Sequence, residues 1–318
     1  MFLEKVNKPS NIALKYFLGF VIIAFFYLLG QIPLGIALIS KSFSSGKPMP
    51  MTEAAIMKYF SPNVTLTLML MIFVFTMAGI IIVVRLLHKM KLKDIITSRE
   101  KVDWKRIFFS FSIWALISLA TTLSYYFASP ENFVVNFKLI PFLILVVIAF
   151  TLLPIQTSSE EFIFRGYLMQ GFGFLARNRW FPLLMTSAMF GLMHIMNPEV
   201  EKMGPVIMVY YIGTGLFLGI ITLMDDGMEL ALGFHAANNI ITALLVTSDW
   251  SALQSESILK DTSAPSVGFE ILIPIIIIFP TLIFIFSRKY HWTDWKEKLT
   301  GKIVLNNAEP TQNIENHD

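Results

Sequence analysis

The sequence predicts an all-α fold, a polytopic transmembrane helical bundle of about eight spans. Three observations carry this. First, 55% of the 318 residues are hydrophobic and only 15% are charged, too apolar a balance for an ordinary soluble domain. Second, the apolar residues come in runs of about 20, the length a helix needs to cross a bilayer. Third, Lys and Arg gather in alternate connections, the asymmetry that orients membrane proteins. The chain has no cysteine, which excludes a disulfide framework, a thiolate metal site and a thiol nucleophile.

Taken in order, the expected spans are 16–39, 64–87, 107–128, 141–175, 180–196, 205–224, 228–247 and 269–286. The first follows a basic N-terminus but is too long for a signal peptide and lacks a small-residue cleavage site, so it reads as a retained anchor. The fourth is overlong. At about 1.5 Å per residue, a straight helix over 141–175 would reach roughly 50 Å, against a core of about 30 Å. Pro154 is therefore expected to bend or split it, and one bent span is preferred. The connection from Arg85 to Arg106 holds eight of the basic residues. With that side cytoplasmic, both termini are cytoplasmic too, and Lys and Arg divide 18 inside to six outside. The basic connection itself reads as a topology signal with affinity for anionic headgroups. Nucleic-acid binding is not expected, because no soluble basic domain exists to present it. The expected organisation is an N-terminal three-span region (1–136), a core (137–248), a polar serine-rich external loop with the last span (249–286), and a cytoplasmic tail (287–318). The end of that tail, after Leu305, is polar and patternless and is expected to be disordered.

Ionisable residues inside spans are costly and mark sites. Away from the span ends they are Glu160, Glu161 and Arg165 in the fourth span, His194 in the fifth and His235 in the seventh. Glu161 and Arg165 are four apart with the acid first, the favourable order for a helical ion pair. Glu160 is rotated by about 100° and is free to face another helix. His235 and Asn239 share a face, as do Phe190 and His194. Counting from the cytoplasmic ends puts His194 about 21 Å deep and His235 about 10 Å, a mismatch that tilt or the bent fourth span must absorb. Chemically, Glu160 could act as a general base, His194 could help position a water, and His235 with Asn239 could donate to an oxyanion. No serine nucleophile is indicated, since there is no GxSxG and no serine beside either histidine.

The stretches "EEFIFR", "FGLMH" and "HAANN", in that order on separate spans, resemble the CAAX-processing and bacteriocin-processing (CPBP or ABI) family of intramembrane endopeptidases. The family pattern is E-E-x-x-x-R, F-x-x-x-H and H-x-x-x-N. It matches Glu160, Glu161 and Arg165; Phe190 and His194; His235 and Asn239, and Gly166 after the arginine is also typical. The resemblance covers roughly residues 140–248. It implies an endopeptidase acting on a membrane-associated or lipidated protein or peptide. Glu160 and His194 would activate water, His235 and Asn239 would hold the oxyanion, and Glu161 with Arg165 would give support or substrate contact. It also implies a multi-pass protein of a bacterial plasma membrane.

Several plainer readings stand beside these. Glu161 and Arg165 could simply tie helices together, and His235 with Asn239 could be interhelical glue. Asn238 reads as a packing or cap residue, and Asp225 and Asp226 as caps for the seventh span. Gly215 and Gly219, a G-x-x-x-G, suggest close helix packing, with a dimer interface as a guess. No cofactor is expected. If zinc were used, Glu160, His194 and His235 would be its ligands, although no H-E-x-x-H is present. The competing function is a non-catalytic membrane protein, a bacteriocin self-immunity or scaffold factor that keeps the fold. A transporter is less favoured because no repeat is visible.

Overall fold

The computed structural model describes residues 2–4, 13–46, 48–265, 268 and 271–303. The expected disordered tail after Leu305, and Phe269 at the start of the last expected span, lie outside the described residues. The helices are α1 (Ala13–Leu29), α2 (Ile32–Ser45), α3 (Glu53–Met57), α4 (Pro62–Ile82), α5 (Lys93–Ile96), α6 (Trp104–Ala128) and α7 (Leu139–Glu161). They continue with α8 (Met169–Ala176), α9 (Trp180–Leu192), α10 (Pro198–Met203), α11 (Ile207–Asp225), α12 (Glu229–Leu245), α13 (Phe279–Tyr290) and α14 (Trp295–Thr300). Short 3₁₀ turns lie at Phe2–Glu4 and Pro130–Asn132, and π-helical turns at Val83–Leu87, Phe162–Leu168 and Pro274–Ile278.

Among the described residues, five helical stretches are long and apolar enough to cross a membrane: Ala13–Ser45, Pro62–Leu87, Trp104–Ala128, Leu139–Ala176 and Ile207–Asp225. The expected count of about eight is therefore not reached by length and hydropathy. The other three expected spans are shorter or more polar. α9 has 13 residues and ends before His194. α12 has 17 and carries Glu229, His235, Asn238 and Asn239. The last is a π turn opened by Pro274, followed by the 12 residues of α13.

Two spans differ from expectation in shape. The first is two helices, interrupted at Gly30 and Gln31 ahead of Pro33. The fourth does not split at Pro154, which sits inside an unbroken α7. Its irregularity falls eight residues later, where "FIFRGYL" forms a π-helical turn leading into α8. Such insertions widen a helix locally and often occur at functional sites.

α12 packs on α6 and α7, α11 packs on α9, and α4 lies between α1 and α7. Two glycines permit the closest approaches. A Cβ on Gly233 would run into the Ile107 carbonyl of α6, and one on Gly215 would stand 2.7 Å from the Ser187 carbonyl of α9. The G-x-x-x-G face of α11 is thus used inside the chain. Because backbone at Ser187 has little room to yield, Gly215→Ala should lower stability by about 1–3 kcal/mol. Thermal unfolding in detergent checks this, with Gly35→Ala, which meets open space, as the unaffected comparison.

One end of the bundle is a polar belt. Asp225 receives Arg99 at 2.9 Å, the indole N–H of Trp292 at 3.0 Å, and Arg106. Arg99 also reaches Glu229 at 3.0 Å. Asp226 accepts from the Phe2 N–H at 3.1 Å and pairs with Lys298 at 3.0 Å, and Arg179 pairs with Glu4 at 2.7 Å. The expectation that Asp225 and Asp226 cap the next helix is corrected: α12 has Met228 at its cap position and no side-chain cap bond. Their carboxylates instead tie together the first residues, the 88–106 connection and the segment after α13. Arg99 and Arg106 accordingly turn inward rather than toward headgroups. At the other end, β1 (Phe133–Val135), β2 (Val246–Ser248) and β3 (Leu259–Asp261) form a small sheet in the order β1-β3-β2. The expected external loop thus folds back as part of that sheet.

Candidate active site

The site is built where α7 and its π turn meet α12, with α9 and α11 closing one side. Glu161 and Arg165 pair at 3.0 Å with both side chains fully buried. Arg165 also donates to the Gly215 carbonyl at 3.0 Å, so the glycine that admits α9 also leaves α11 backbone open to the guanidinium. His235 bridges the two glutamates: its Nδ1 lies 2.8 Å from Glu161 Oε1, and its Nε2 lies 3.4 Å from Glu160 Oε2. The second contact has ion-pair spacing without hydrogen-bond alignment, and Glu160 Oε2 is otherwise a buried oxygen with no hydrogen-bond partner. Glu160 Oε1 accepts from Gln156 Nε2 at 2.9 Å, and Gln156 Oε1 accepts from Asn239 Nδ2 at 2.9 Å.

Proton placement follows from these partners. A carboxylate only accepts, so His235 carries a hydrogen on Nδ1. Its Nε2 then faces the second carboxylate, that of Glu160.

Phe190 is the centre of the apolar side. Arg165 Cζ lies 4.4 Å from its ring centroid, within cation–π range. The His194 ring lies at 4.9 Å and the His235 ring at 5.9 Å. His194 itself is not in a helix but in the turn after α9, half-buried, with Nδ1 at 2.8 Å from the Phe190 carbonyl. That carbonyl accepts, so Nδ1 carries the hydrogen and the neutral ring presents Nε2 as an acceptor. Tyr211 of α11 stacks on the ring at 4.3 Å and 19°. Glu160, His235 and Arg165 are the ionisable neighbours of His194, but no hydrogen bond joins it directly to them among the described residues.

The structure thus gathers two hydrogen-bonded sets, Glu161 with Arg165 and His235, and Glu160 with Gln156 and Asn239, which meet at the 3.4 Å contact between Glu160 and His235, with His194 held beside them across Phe190. Glu229, first residue of α12, is fully buried against Arg99, so α12 begins within the belt. Glu160 faces another helix, α12, where it meets His235, a residue that it shares with Glu161; its own hydrogen bond is from Gln156. The ligand set that zinc would need is not gathered: among the described residues, no three His, Asp or Glu side chains are arranged to hold a metal ion.

The sequence reading passed over Gln156 and Tyr211, and took Asn238 for packing. Gln156 was findable, since it lies one turn before Glu160 on the same face of the helix. Tyr211 was not, because its partner lies 17 residues away on another element.

The Type II CAAX prenyl endopeptidase Rce1-like family profile matches residues 136–241, the stretch that contains every residue of the three motifs. "Uncharacterized protein YyaK" of Bacillus subtilis (strain 168) is 30% identical over 239 residues, which is 75% of this chain and 79% of that protein. The chain belongs to the Rce1-like family. No solved structure matches it. As an Rce1-like protein it is a CAAX-protease-type membrane protein, and that family acts on membrane-associated protein substrates.

Proposed function

We propose that this Rce1-like chain is an intramembrane endopeptidase that hydrolyses a peptide bond of a membrane-associated or lipidated protein or peptide, with Glu160 as the group that activates water. The observation that carries this reading is the divided environment of the two glutamates. Glu161 is tied through Oε1 to both Arg165 and His235, whereas Glu160 has no ion pair to the arginine; each keeps a buried Oε2 without a hydrogen-bond partner among the described residues, and that of Glu160 is the one facing His235 Nε2, at 3.4 Å.

In the proposed cycle, Glu160 Oε2 takes a proton from water while the water oxygen adds to the scissile carbonyl carbon. His194, whose Nε2 accepts, orients that water. The oxyanion receives His235 Nε2–H and the amide hydrogen of Asn239 not used by Gln156. The carbonyl re-forms as the C–N bond breaks, and the proton on Glu160 passes to the departing amine. No cofactor enters this scheme. In this reading the polar belt and both ends of the chain are on the cytoplasmic side of a bacterial plasma membrane, and α9, α12 and α13 complete the crossings begun by the five longer stretches. The basic character of the 85–106 connection and of the segment after α13 supports this orientation.

Loss of one oxyanion donor typically lowers rate by about 10²–10³, so Asn239→Ala should do so. His194→Ala should approach the loss expected on removal of the base. Cleavage of a fluorogenic farnesylated CAAX-type peptide by purified protein in proteoliposomes tests both. Zinc content is measured on the same samples. Stoichiometric zinc lost and regained together with activity would recast Glu160, His194 and His235 as ligands.

A further inference from the structure

Four hydrogen bonds run in series from α6 to Glu160. The Trp114 indole N–H donates to Asn238 Oδ1 at 3.1 Å. Asn238 Nδ2 donates to Asn239 Oδ1 at 3.0 Å. Asn239 Nδ2 donates to Gln156 Oε1 at 2.9 Å, and Gln156 Nε2 donates to Glu160 Oε1 at 2.9 Å. The direction of this series is fixed by its ends. An indole N–H can only donate and an ionised carboxylate can only accept. Each of the three amides between them therefore has one permitted orientation. Turning any one of them would set oxygen against oxygen or NH₂ against NH₂.

We propose that Gln156, Asn238 and Trp114 are positioning residues, forming a one-way amide relay that decides which oxygen of Glu160 does chemistry. Oε1 is occupied by an incoming N–H. Any proton that the carboxylate takes up goes to Oε2, the oxygen beside His235. The three amide dipoles are aligned with their positive ends toward Glu160, and bonds in series polarise one another. The relay also holds the geometry across three helices, because Trp114 is on α6, Gln156 on α7 and the two asparagines on α12. Trp114 lies outside the stretch 136–241 that the family profile matches, so the relay gives the otherwise motif-free N-terminal region a part in the site. The alignment uses one hydrogen of the Asn239 amide and leaves the other for an oxyanion. The catalytic consequence rests on the reading of Glu160 as the proton acceptor; the relay geometry does not.

Three near-isosteric changes test it. Gln156→Met removes the last two bonds. Asn238→Asp keeps the acceptor for Trp114 but removes the donor to Asn239. Trp114→Phe retains an aromatic ring for the packing against Phe234, where the ring centroids are 4.3 Å apart, and removes only the first donor. The first readout needs no substrate. The infrared carboxylate band of Glu160, isolated as each protein minus its Glu160→Gln counterpart, should shift in Gln156→Met, and by less in Asn238→Asp and Trp114→Phe. The second is kinetic, with the farnesylated peptide in proteoliposomes: Gln156→Met should lower kcat by about 10- to 100-fold, the usual worth of a hydrogen bond to a charged group, with KM unchanged. Size-exclusion profiles and thermal unfolding establish that each variant is folded; if Gln156→Met is not, Trp114→Phe carries the same test. A Glu160 band at its wild-type position in a folded variant overturns the relay. An unchanged kcat in that variant overturns its catalytic role. A band that shifts in a protein that cleaves nothing upholds the relay and overturns the endopeptidase reading for that peptide.

Discussion

Glu160→Gln is expected to remove peptide hydrolysis, a loss of about 10²–10⁴ in kcat if proton transfer is the part removed. An amide cannot accept the proton from water. The exchange keeps the size of the side chain, and Gln156 can still donate to the remaining oxygen. On the other side, an N–H in place of Oε2 meets His235 Nε2, so no buried group is newly stranded. Protein yield and thermal unfolding should therefore match wild type while cleavage of the farnesylated peptide disappears. Full activity in this variant would refute the general-base assignment.

Glu161→Ala should fail in the opposite way, through the fold. Glu161 Oε1 is shared by Arg165 at 3.0 Å and His235 at 2.8 Å, all three side chains being buried. Its removal leaves a buried guanidinium with the Gly215 carbonyl as its remaining hydrogen-bond acceptor, and leaves His235 Nδ1–H without an acceptor. Breaking a buried pair from one side typically costs about 3–5 kcal/mol, a large part of a marginal stability. The expected result is a sharp drop in detergent-extracted, monodisperse protein. Glu161→Gln, which keeps an acceptor but not the charge, should fall between. Wild-type yield and unfolding temperature in Glu161→Ala would show that the pair is not structural.

Much of this arrangement was legible in the sequence because of helical periodicity. The i,i+4 spacing of Glu161 and Arg165, of Phe190 and His194, and of His235 and Asn239 set each pair on one face, and apolar surroundings marked them as interior. Periodicity alone does not say how faces meet. That His235 spans both glutamates, and that Phe190 sits beneath Arg165 and both histidines, depends on the packing of α12 and α9 against the π turn at 162–168. A π turn has no single-residue signature, so the irregularity was assigned to Pro154, where a missing N–H gave a reason to expect it. The belt was misjudged for a related reason. Asp225 and Asp226 precede a helix and look like caps, but their partners Arg99, Arg106, Trp292 and Lys298 come from segments 67 to 126 residues away, a distance that no local pattern reports. The count of about eight spans is not reached by length and hydropathy, because α9 and α12 are apolar enough to be noticed but have only 13 and 17 residues.

The central claim is that Glu160 makes this chain a peptidase in its own membrane. The most direct measurement is a comparison of protein N- and C-termini in membrane fractions of cells that carry either the wild-type chain or Glu160→Gln, expressed at equal levels. The account predicts at least one new terminus, within or beside a membrane-associated segment, that is present with the wild type and missing with Glu160→Gln, its uncleaved precursor accumulating in the variant. Identical sets of termini in the two strains, with both proteins folded and in the membrane, would contradict it.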